Sequence, residues 1–380
     1  MTRVAIAGHG TYGFAGDTNG QSDTEMVLEA SMTALESADV SHEEVDAIIY
    51  TGQDAYDGSA ISDGQRVSAA GGYRKPFMRI QNGGGTAIHQ AVAKIRSGKA
   101  DVVSIVAADS VRADPRVLSW TAQEALYHRP FGQSNDQSFG LLATAHQEER
   151  DVTAEEFARV AAKNYEAAAS NDVAHRQEAY SVDDVLDADP VTGPLTELML
   201  RPKSFGAAVC VLVSEEVAEE KDNARSWITG TGLSTGKYWY RDMSQRLDQP
   251  TLAQASSAAF DEADVTIDDI DAAEIAAYSP TLELTSYEAL GLCEEGEGVS
   301  LVEDSVTAPD GSFPVNLSGG PLATSPPNAG GIYRAIAASQ VVEGDLGDGS
   351  AERVLLADND MHLGEPGRTD AVVVLESGAA

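Results

Sequence analysis

The sequence contains only two cysteines, Cys210 and Cys293, among 380 residues. Two thiols cannot form a disulfide framework for a chain of this length, and no cysteine or histidine spacing typical of a zinc site is present. Long apolar runs are missing too, since the stretch 207–213 is far too short to cross a bilayer. The first residues lack the apolar segment of a signal peptide. We therefore expect a soluble, cytoplasmic protein without a metal site.

Basic residues are also scarce. The chain has 25 Lys and Arg against 61 Asp and Glu, a formal net charge of −36, and only seven of its basic residues are lysine. Such a surface repels phosphate backbones and anionic lipid headgroups, which argues against binding to nucleic acids or membrane surfaces. The acidic residues are spread along the whole chain, a pattern typical of proteins from a salt-rich cytoplasm, where ions screen the repulsion. We expect a halophilic protein.

The chain repeats an order of local signals. Residues 38–47 (ADVSHEEVDA) return as residues 263–272 (ADVTIDDIDA). Each copy follows an alanine-rich stretch of helical character and runs into a segment of β type. A glycine-rich turn, a helix and an apolar strand then follow in both copies: the turns are 82–85 and 318–320, the helices 86–96 and 332–342, and the strands 102–107 and 354–357. The repeat predicts two similar halves.

Each half is predicted to run strand, helix, strand, loop, helix, strand, which is the order of a parallel sheet covered by helices. We assign residues 1–220 to the N-terminal half and residues 225–380 to the C-terminal half. A stretch of about 113–202 has no counterpart in the second half and is predicted to form an inserted lobe. A capping box at Thr153–Glu156 marks the start of a helix in this lobe. The predicted fold class is α/β.

Several segments resemble the thiolase superfamily, and within it the sterol-carrier-protein-X and lipid-transfer-protein types. They are distributed over nearly the whole chain: TAIHQAV at 86–92, IRSGKADVV at 95–103, FA at 157–158, AKNY at 162–165 with Ala167, PLT at 194–196, GAAV at 206–209, YEALGLCEEGEG at 287–298 and NLSGG at 316–320. The resemblance implies a thiolase fold of two duplicated βαβαβ-type halves in a five-layered αβαβα arrangement, with an inserted loop lobe. It further implies a homodimer that acts on coenzyme A thioesters and needs no permanently bound cofactor.

The positions that carry thiolase chemistry in this superfamily are replaced. The resemblance places the cysteine nucleophile at Gln81 or Asn82, and the histidine of the Gly-His-Pro turn at Pro326. The family's His-Asp-Cys-Phe or Asn-Glu-Ala-Phe segment becomes residues 276–280, AAYSP. Side-chain amides and proline cannot supply the nucleophile or its activating base. We expect both cysteines of the chain to be packed thiols, so covalent acyl-cysteine chemistry is not predicted.

Three functions remain open. The preferred one is carbon–carbon bond cleavage of retro-aldol type, because the chain is similar to bacterial steroid side-chain aldolases, which cleave a 3-hydroxyacyl-CoA without a nucleophilic cysteine, using tyrosines and a partner protein. The first alternative is a non-catalytic subunit that binds acyl-CoA within a thiolase-type complex. The second is an acyltransferase of the acetyl-CoA acetyltransferase type, which the missing cysteine disfavours. The partner that the resemblance implies is a zinc-ribbon/OB-fold protein.

The candidate site residues follow from these positions. Tyr278 lies where the family keeps a catalytic histidine or asparagine, and its phenol could hydrogen-bond a carbonyl group or move a proton. His362 lies where the resemblance places the C-terminal active-site loop, and histidine titrates near neutral pH. We expect these two residues to be catalytic. Glycine-rich turns and helix N-termini can hold an oxyanion, and the predicted substrate-binding residues are Asn82, Gly83, Gly84, Ser318, Gly319, Gly320, Ser325 and Asn328.

Overall fold

The computed structural model describes residues 2–57, 61, 63–81, 83–110, 126, 129–236, 247–359 and 369–378. The strands are β1 (Val4–Ala15), β2 (Ala47–Thr51), β3 (Phe77–Ile80), β4 (Val102–Asp109), β5 (Pro190–Thr192), β6 (Leu195–Thr196), β7 (Phe205–Ser214), β8 (Ser226–Thr235), β9 (Ala272–Ile275), β10 (Arg353–Asn359) and β11 (Thr369–Ser377). The helices are α1 (Asp23–Ser37), α2 (Asp54–Asp57), α3 (Asp63–Ala69), α4 (Gly83–Arg96), α5 (Asn135–Arg150), α6 (Ala154–Ala168), α7 (Val182–Asp187), α8 (Glu215–Lys221), α9 (Pro250–Ala263), α10 (Pro280–Leu290), α11 (Gly298–Glu303), α12 (Gly320–Ala323) and α13 (Gly330–Glu343). None of these helices has the length and apolarity needed to cross a membrane.

Nine strands form one sheet in the order β3-β2-β4-β7-β1-β8-β11-β10-β9. In the first half β2 and β4 are parallel, whereas β4, β7 and β1 alternate in direction. In the second half β9 and β10 are parallel, whereas β10, β11 and β8 alternate in the same way. The sheet is therefore built from two matching strand series, and the predicted duplication is confirmed. The expectation of a parallel sheet is wrong, because each series continues into antiparallel strands.

The two strand series join only at a short edge. β1 and β8 pair over residues 4–6 and 226–228. Helices α4 and α13 both contact strands of the two series, so they lie as a layer between them. On the outer sides, α1 packs against β1 and β7, and α9 packs against β8 and β11. The result is the αβαβα layering that the resemblance implies.

Glycines allow the outer helices to lie close to the sheet at equivalent places. A Cβ atom on Gly10 of β1 would lie 2.8 Å from the backbone nitrogen of Ala34 in α1. A Cβ atom on Gly232 of β8 would lie 2.9 Å from the backbone nitrogen of Ala259 in α9. Carbon and nitrogen atoms do not pack this closely, because their attraction is optimal at separations of about 3.5–4.0 Å. The same requirement in both strand series is a further sign of the duplication.

The inserted lobe lies between β4 and β7 in the chain and contributes α5, α6, α7 and the β5–β6 pair. The predicted capping box is present: the Thr153 hydroxyl accepts the Glu156 N–H at 3.3 Å, and the Glu156 carboxylate accepts the Thr153 N–H in return. Helix α6 packs against α10 and α12, so the lobe covers the C-terminal half. The boundaries at residues 220 and 225 remain a prediction.

Candidate active site

The predicted site residues lie where strands end and where the two central helices, α4 and α13, begin. β3, β2 and β4 are parallel to one another, so the segments that follow them lie at one edge of the sheet. Gly83 opens α4 directly after β3, and Tyr278 follows β9 in the second strand series. The start of α13 lies against the end of β4, because Asn328 donates its N–H to Asp109. This edge is where open α/β sheets usually hold their ligands.

Each central helix is capped by an aspartate from the other half. Asp358, near the end of β10, accepts the N–H of Gly85 at the start of α4 at 2.8 Å. Asp109, the last residue of β4, accepts the N–H groups of Asn328 at 3.0 Å and Ala329 at 2.8 Å at the start of α13. Since β4 and β10 are equivalent strands, each half of the protein caps the central helix of the other half in the same way. Two buried carboxylates thus occupy the positive ends of the helices, where a ligand's negative charge would otherwise be favoured.

The first glycine-rich loop is packed tightly against the second half. Gly83 has a φ angle of +85°, a left-handed conformation that favours glycine. A Cβ atom on Gly83 would lie 2.9 Å from Oδ2 of Asp358, and one on Gly331 would lie 2.5 Å from the nitrogen of Gly84. Backbone packing between the halves therefore requires glycine here. The binding of substrate by Gly83 and Gly84 stays a prediction.

Arg334 connects this loop to the phenol of Tyr278. The guanidinium of Arg334, on α13, forms an ion pair with Asp358, and both side chains are 1% exposed. Its Nη2 also lies 3.5 Å from the phenol oxygen of Tyr278. The carboxylate that caps α4 and the arginine beside Tyr278 thus form one buried network. Sequence spacing does not reveal this network, because its members come from four separate segments of the chain: α4, the residues after β9, α13 and β10.

Tyr278 is held with its phenol protonated at neutral pH. The side chain is 2% exposed, and its ring stacks on Phe139 with 6.4 Å between the ring centroids. Burial raises the pKa of the Tyr278 phenol, while the positive charges of Arg334 and Arg201 act in the opposite direction. The phenol oxygen accepts from Arg334, and among the described residues its own proton has no acceptor. This arrangement suits a hydrogen-bond donor better than a base.

Asn328 is fully engaged within the protein at its backbone and its side-chain NH₂. Besides its N–H, which Asp109 accepts, its carbonyl oxygen accepts the Thr51 hydroxyl at 2.8 Å and its Nδ2 donates to Asp57 at 2.9 Å. Burial raises the pKa of Asp109 to about 7, although the two backbone N–H groups favour the ionised carboxylate. Asp109 is therefore a buried acid that titrates near neutral pH in the folded protein.

We predict that replacing Asp109 by Asn weakens the dependence of stability on pH. Between the ordinary pKa of an aspartate and the raised pKa of Asp109, the folded protein binds a proton that the unfolded chain has released, so this group makes stability fall as pH rises. The amide in Asp109→Asn cannot titrate, so the free energy of unfolding in urea, measured at several pH values from about 4 to 8, should fall less steeply. The exposed Asp172→Asn should keep the wild-type slope. Equal slopes in Asp109→Asn and wild type would contradict the prediction.

Ser318, Gly319 and Gly320 form a turn that holds a buried glutamate. The N–H and hydroxyl of Ser318 donate to Glu274 of β9 at 2.8 and 2.6 Å. The N–H of Gly319 donates to the carbonyl of Asn316 at 2.8 Å, and the N–H of Gly320 donates to the Ser318 hydroxyl at 3.2 Å. Burial raises the pKa of Glu274 to about 7. The donors expected to bind substrate here have acceptors within the protein, so their binding role stays a prediction.

A histidine outside the predicted set reaches the turn at Ser325. Nδ1 of His175 lies 2.9 Å from the hydroxyl of Ser204, which also accepts the N–H of Ser325 at 3.0 Å. The backbone N–H of His175 donates to the Thr324 hydroxyl at 2.9 Å. Burial lowers the pKa of His175. No local sequence signal marks this residue, because the partners that fix it lie 29 and 149 residues away.

Other predicted residues differ in what the structure says of them. Asn82 and His362 lie outside the described residues, so their roles stay predictions.

Cys210 is buried in β7 and Cys293 is half-buried after α10. Burial raises the pKa of both thiols to about 12, so neither supplies a thiolate at neutral pH. Among the described residues, no group of three or more His, Cys, Asp or Glu side chains is placed to hold a metal ion.

The chain matches known proteins over most of its length. Residues 235–377 match the family described as thiolase C-terminal domain-like. The acetyl-CoA acetyltransferase of Methanothermobacter thermautotrophicus is 27% identical over 93% of this chain and 94% of its own length. Human sterol carrier protein 2 is 26% identical over 86% of this chain and 63% of its own length. A steroid side-chain-cleaving aldolase of Thermomonospora curvata is 26% identical over 84% of this chain and 85% of its own length.

The fold comparison agrees with the sequence matches. A structure titled Ltp2-ChsH2(DUF35) aldolase superposes with a TM-score of 0.83 over 99% of this chain and 98% of that chain, at 23% identity. Agreement over nearly all of both chains shows that the fold is shared. Together with the family match over residues 235–377 and the relatives that span both halves, this shows that the chain is similar in sequence and fold to proteins of the thiolase superfamily, sterol carrier protein 2 among them.

Proposed function

We propose that the protein cleaves a carbon–carbon bond of a 3-hydroxyacyl-CoA in a reaction of retro-aldol type. The observation that carries this proposal is the Tyr278 phenol, a buried donor at the end of β9 whose oxygen accepts from Arg334. A donor of this kind stabilises an oxyanion without forming a covalent bond. The similarity to the steroid side-chain-cleaving aldolase of Thermomonospora curvata supports the same class of reaction.

The proposed step needs a base and an oxyanion donor. A base removes the proton of the 3-hydroxyl group, the C2–C3 bond breaks, and C3 leaves as the carbonyl carbon of an aldehyde or ketone. The electron pair of the broken bond passes into the thioester as an enolate, which takes up a proton at C2 to give the shortened acyl-CoA. Tyr278 donates its hydrogen bond to the thioester oxygen while that oxygen gains negative charge. His362 is the proposed base.

This role differs from the one expected of the backbone amides. The N–H groups of Gly85, Gly319 and Gly320 donate to acceptors within the protein. An oxyanion would have to displace those acceptors before it could bind there. The phenol of Tyr278 needs no such displacement, which is why we assign the thioester oxygen to it.

The second candidate function is a non-catalytic subunit that binds acyl-CoA for a neighbouring enzyme. Its support is the same set of engaged amides, because two buried carboxylates neutralise the helix N-termini where thioester chemistry would gain most from positive potential. The raised pKa values of both thiols agree with this function as well. In this case the fold would retain binding without turnover.

One experiment separates these functions. The purified protein is mixed with a panel of 3-hydroxyacyl-CoA compounds, with and without a zinc-ribbon/OB-fold partner, and the release of aldehyde or ketone is followed. We expect cleavage, and mass spectrometry should find no acyl group on Cys210 or Cys293. Binding of acyl-CoA without turnover on the whole panel would support the non-catalytic subunit. An acylated cysteine would contradict both functions and favour an acyltransferase.

We further propose a zinc-ribbon/OB-fold protein as the partner. The structure titled Ltp2-ChsH2(DUF35) aldolase is named as a two-component assembly, and it shares the whole fold of this chain. The partner requirement is therefore part of the assay above. Cleavage that appears only when the second protein is added would support an obligatory complex.

We also propose that two copies of the chain associate along β3. This strand is the outermost of the sheet, so one of its edges has no neighbouring strand within the described chain. Exposed apolar side chains cluster around it, with Phe77 51% and Tyr73 78% exposed, and Met78 beside them. A free edge that carries apolar side chains is a liability for a monomer, because it templates pairing with another chain.

Replacing Phe77 by Lys should turn the dimer into a monomer. The lysine adds a charge to the apolar edge and removes an aromatic side chain that a second copy would bury. Sedimentation analysis of wild type and variant should show the loss of half the mass. Val191→Lys, at an apolar position of similar exposure on the separate β5–β6 pair, should remain dimeric. A wild-type protein that is monomeric in high salt would exclude the proposed dimer.

A further inference from the structure

Two guanidinium groups lie beside the ring of Tyr278. The central carbon of the Arg201 guanidinium is 5.4 Å from the ring centroid, and that of Arg334 is 5.8 Å away. Arg334 comes from α13 in the C-terminal half, whereas Arg201 comes from the segment that leads from the inserted lobe into β7. Arginines within about 6 Å of an aromatic ring are attracted to it electrostatically. Separate parts of the chain thus direct positive charge at one phenol.

We propose that Arg201 is a positioning residue of the candidate site, which acts together with Arg334 to make the Tyr278 phenol a stronger hydrogen-bond donor toward a ligand oxygen that becomes negatively charged. The site would accordingly select thioesters that pass through an enolate. This inference rests on the function proposed above and deepens it. It assigns a role to an arginine that none of the sequence motifs includes.

The physical argument concerns the charge on the phenol oxygen. When Tyr278 shares its proton with an oxyanion, negative charge builds up on its own oxygen, and burial alone makes that costly. A nearby cation lowers the cost, and the effect is larger inside a protein than in water. The two arginines therefore offset part of the burial, so that the phenol stays protonated yet donates more strongly. An apolar side chain at position 201 would leave the phenol a weaker donor.

Among the described residues, three charged groups act on Tyr278 from the elements packed around it. Arg334 and Arg201 lower the pKa of its phenol, whereas the carboxylate of Asp358 and the burial of the ring raise it. Asp358 is itself paired with Arg334, so its effect is partly cancelled. Arg201 is thus the cation that can be changed without breaking the ion pair of Arg334 and Asp358.

The test measures the pKa of Tyr278 directly. Fluorotyrosine is incorporated at position 278 only, and its ionisation is followed by fluorine NMR, which also reports whether the protein is folded at each pH. In Arg201→Met we expect the pKa of this phenol to rise by about 1 compared with the unchanged chain. Arg201→Lys keeps the positive charge and should restore most of the original value. If Arg201→Met does not fold, Arg201→Gln serves as the neutral variant.

Lys203 provides a matched control. It lies two residues from Arg201, and its ammonium is 5.1 Å from the centroid of a different ring, that of Phe205. Lys203→Met therefore removes the same charge from the same segment, and the pKa of Tyr278 should stay unchanged. A shift in the pKa of Tyr278 as large as that in Arg201→Met would mean that the net charge of the protein alone controls this pKa, and would overturn the proposal.

Kinetics separate this inference from the proposed function. If the protein cleaves 3-hydroxyacyl-CoA, Arg201→Met should lower kcat by about threefold to tenfold and move the alkaline limb of the pH profile upward with the phenol. If the wild type does not cleave the substrate but Arg201→Met still shifts the pKa of Tyr278, the proposed function is refuted and the electrostatic role of Arg201 stands. If the pKa of Tyr278 is unchanged in Arg201→Met, the inference is refuted, whether or not the wild type is active.

Discussion

Replacing Tyr278 by Phe is expected to lower the rate of 3-hydroxyacyl-CoA cleavage by about 10²-fold or more, because one oxyanion donor typically contributes about 10² to 10³ in kcat. The substitution keeps the ring and its stacking on Phe139 and deletes only the hydroxyl. The melting temperature should change little, since among the described residues the hydroxyl makes one hydrogen bond, a long one of 3.5 Å from Arg334. The measurement is turnover per folded molecule, from aldehyde or ketone release, with the partner protein present.

Tyr165→Phe is the matched control for this variant. Tyr165 is also a buried tyrosine beside an arginine: its phenol accepts from Arg176 at 2.7 Å and donates to the carbonyl of Leu198 at 2.9 Å. The phenol proton of Tyr165 is therefore hydrogen-bonded within the lobe. Loss of this hydroxyl should lower stability and leave turnover per folded molecule unchanged. Wild-type turnover in Tyr278→Phe would remove this phenol from the mechanism.

The duplicated fold could be predicted because its signals are local and occur twice. The turn that begins at Ser41 and the one that begins at Thr266 have the same capping geometry and lie between a helix and a buried strand in each half. Element ends were less predictable: the helix expected at 86–96 begins at Gly83, and the helix expected at 332–342 begins at Gly330.

The reciprocal capping of the central helices could not be predicted in the same way. Asp109 is the last residue of an apolar strand and Asp358 the second-last residue of another, which is visible in the sequence, but the groups they accept from lie 219 and 273 residues away. Strand-end carboxylates are ordinary ligand-binding residues in α/β folds, so the pattern alone favours a polar site open to ligand. Only the packing of the two halves shows that these carboxylates bind the protein's own helices.

The surroundings of Tyr278 could not be predicted from the sequence either. Its position after β9 follows from the resemblance, but Arg334 and Arg201 come from other elements, and Phe139 comes from the lobe. A motif fixes where a side chain is attached, whereas its pKa depends on charges that arrive from distant segments. This is why a hydroxyl first considered for moving a proton is better understood as a donor.

The largest effect on stability is expected from Arg334→Met. Arg334 and Asp358 are 1% exposed, so the loss of the guanidinium leaves a buried carboxylate that keeps the N–H of Gly85 but has lost its compensating charge. Breaking a buried ion pair by removing one partner typically costs about 3–5 kcal/mol. The same change also loosens the cap of α4, since Asp358 serves both groups. The free energy of unfolding should fall by that amount in urea titrations.

Two further variants make this expectation specific. Arg353→Met, at the start of the same strand β10, removes an arginine paired with Glu376 at 2.7 Å, but both side chains are about one third exposed. Exposed pairs contribute about 0–1 kcal/mol, so this control should unfold almost as wild type does. The double variant Arg334→Met with Asp358→Asn removes the stranded charge and should be less destabilised than the sum of its single changes. Equal losses in Arg334→Met and Arg353→Met would show that the buried network contributes no more than a surface pair, and the network would then lose its role in joining the two halves.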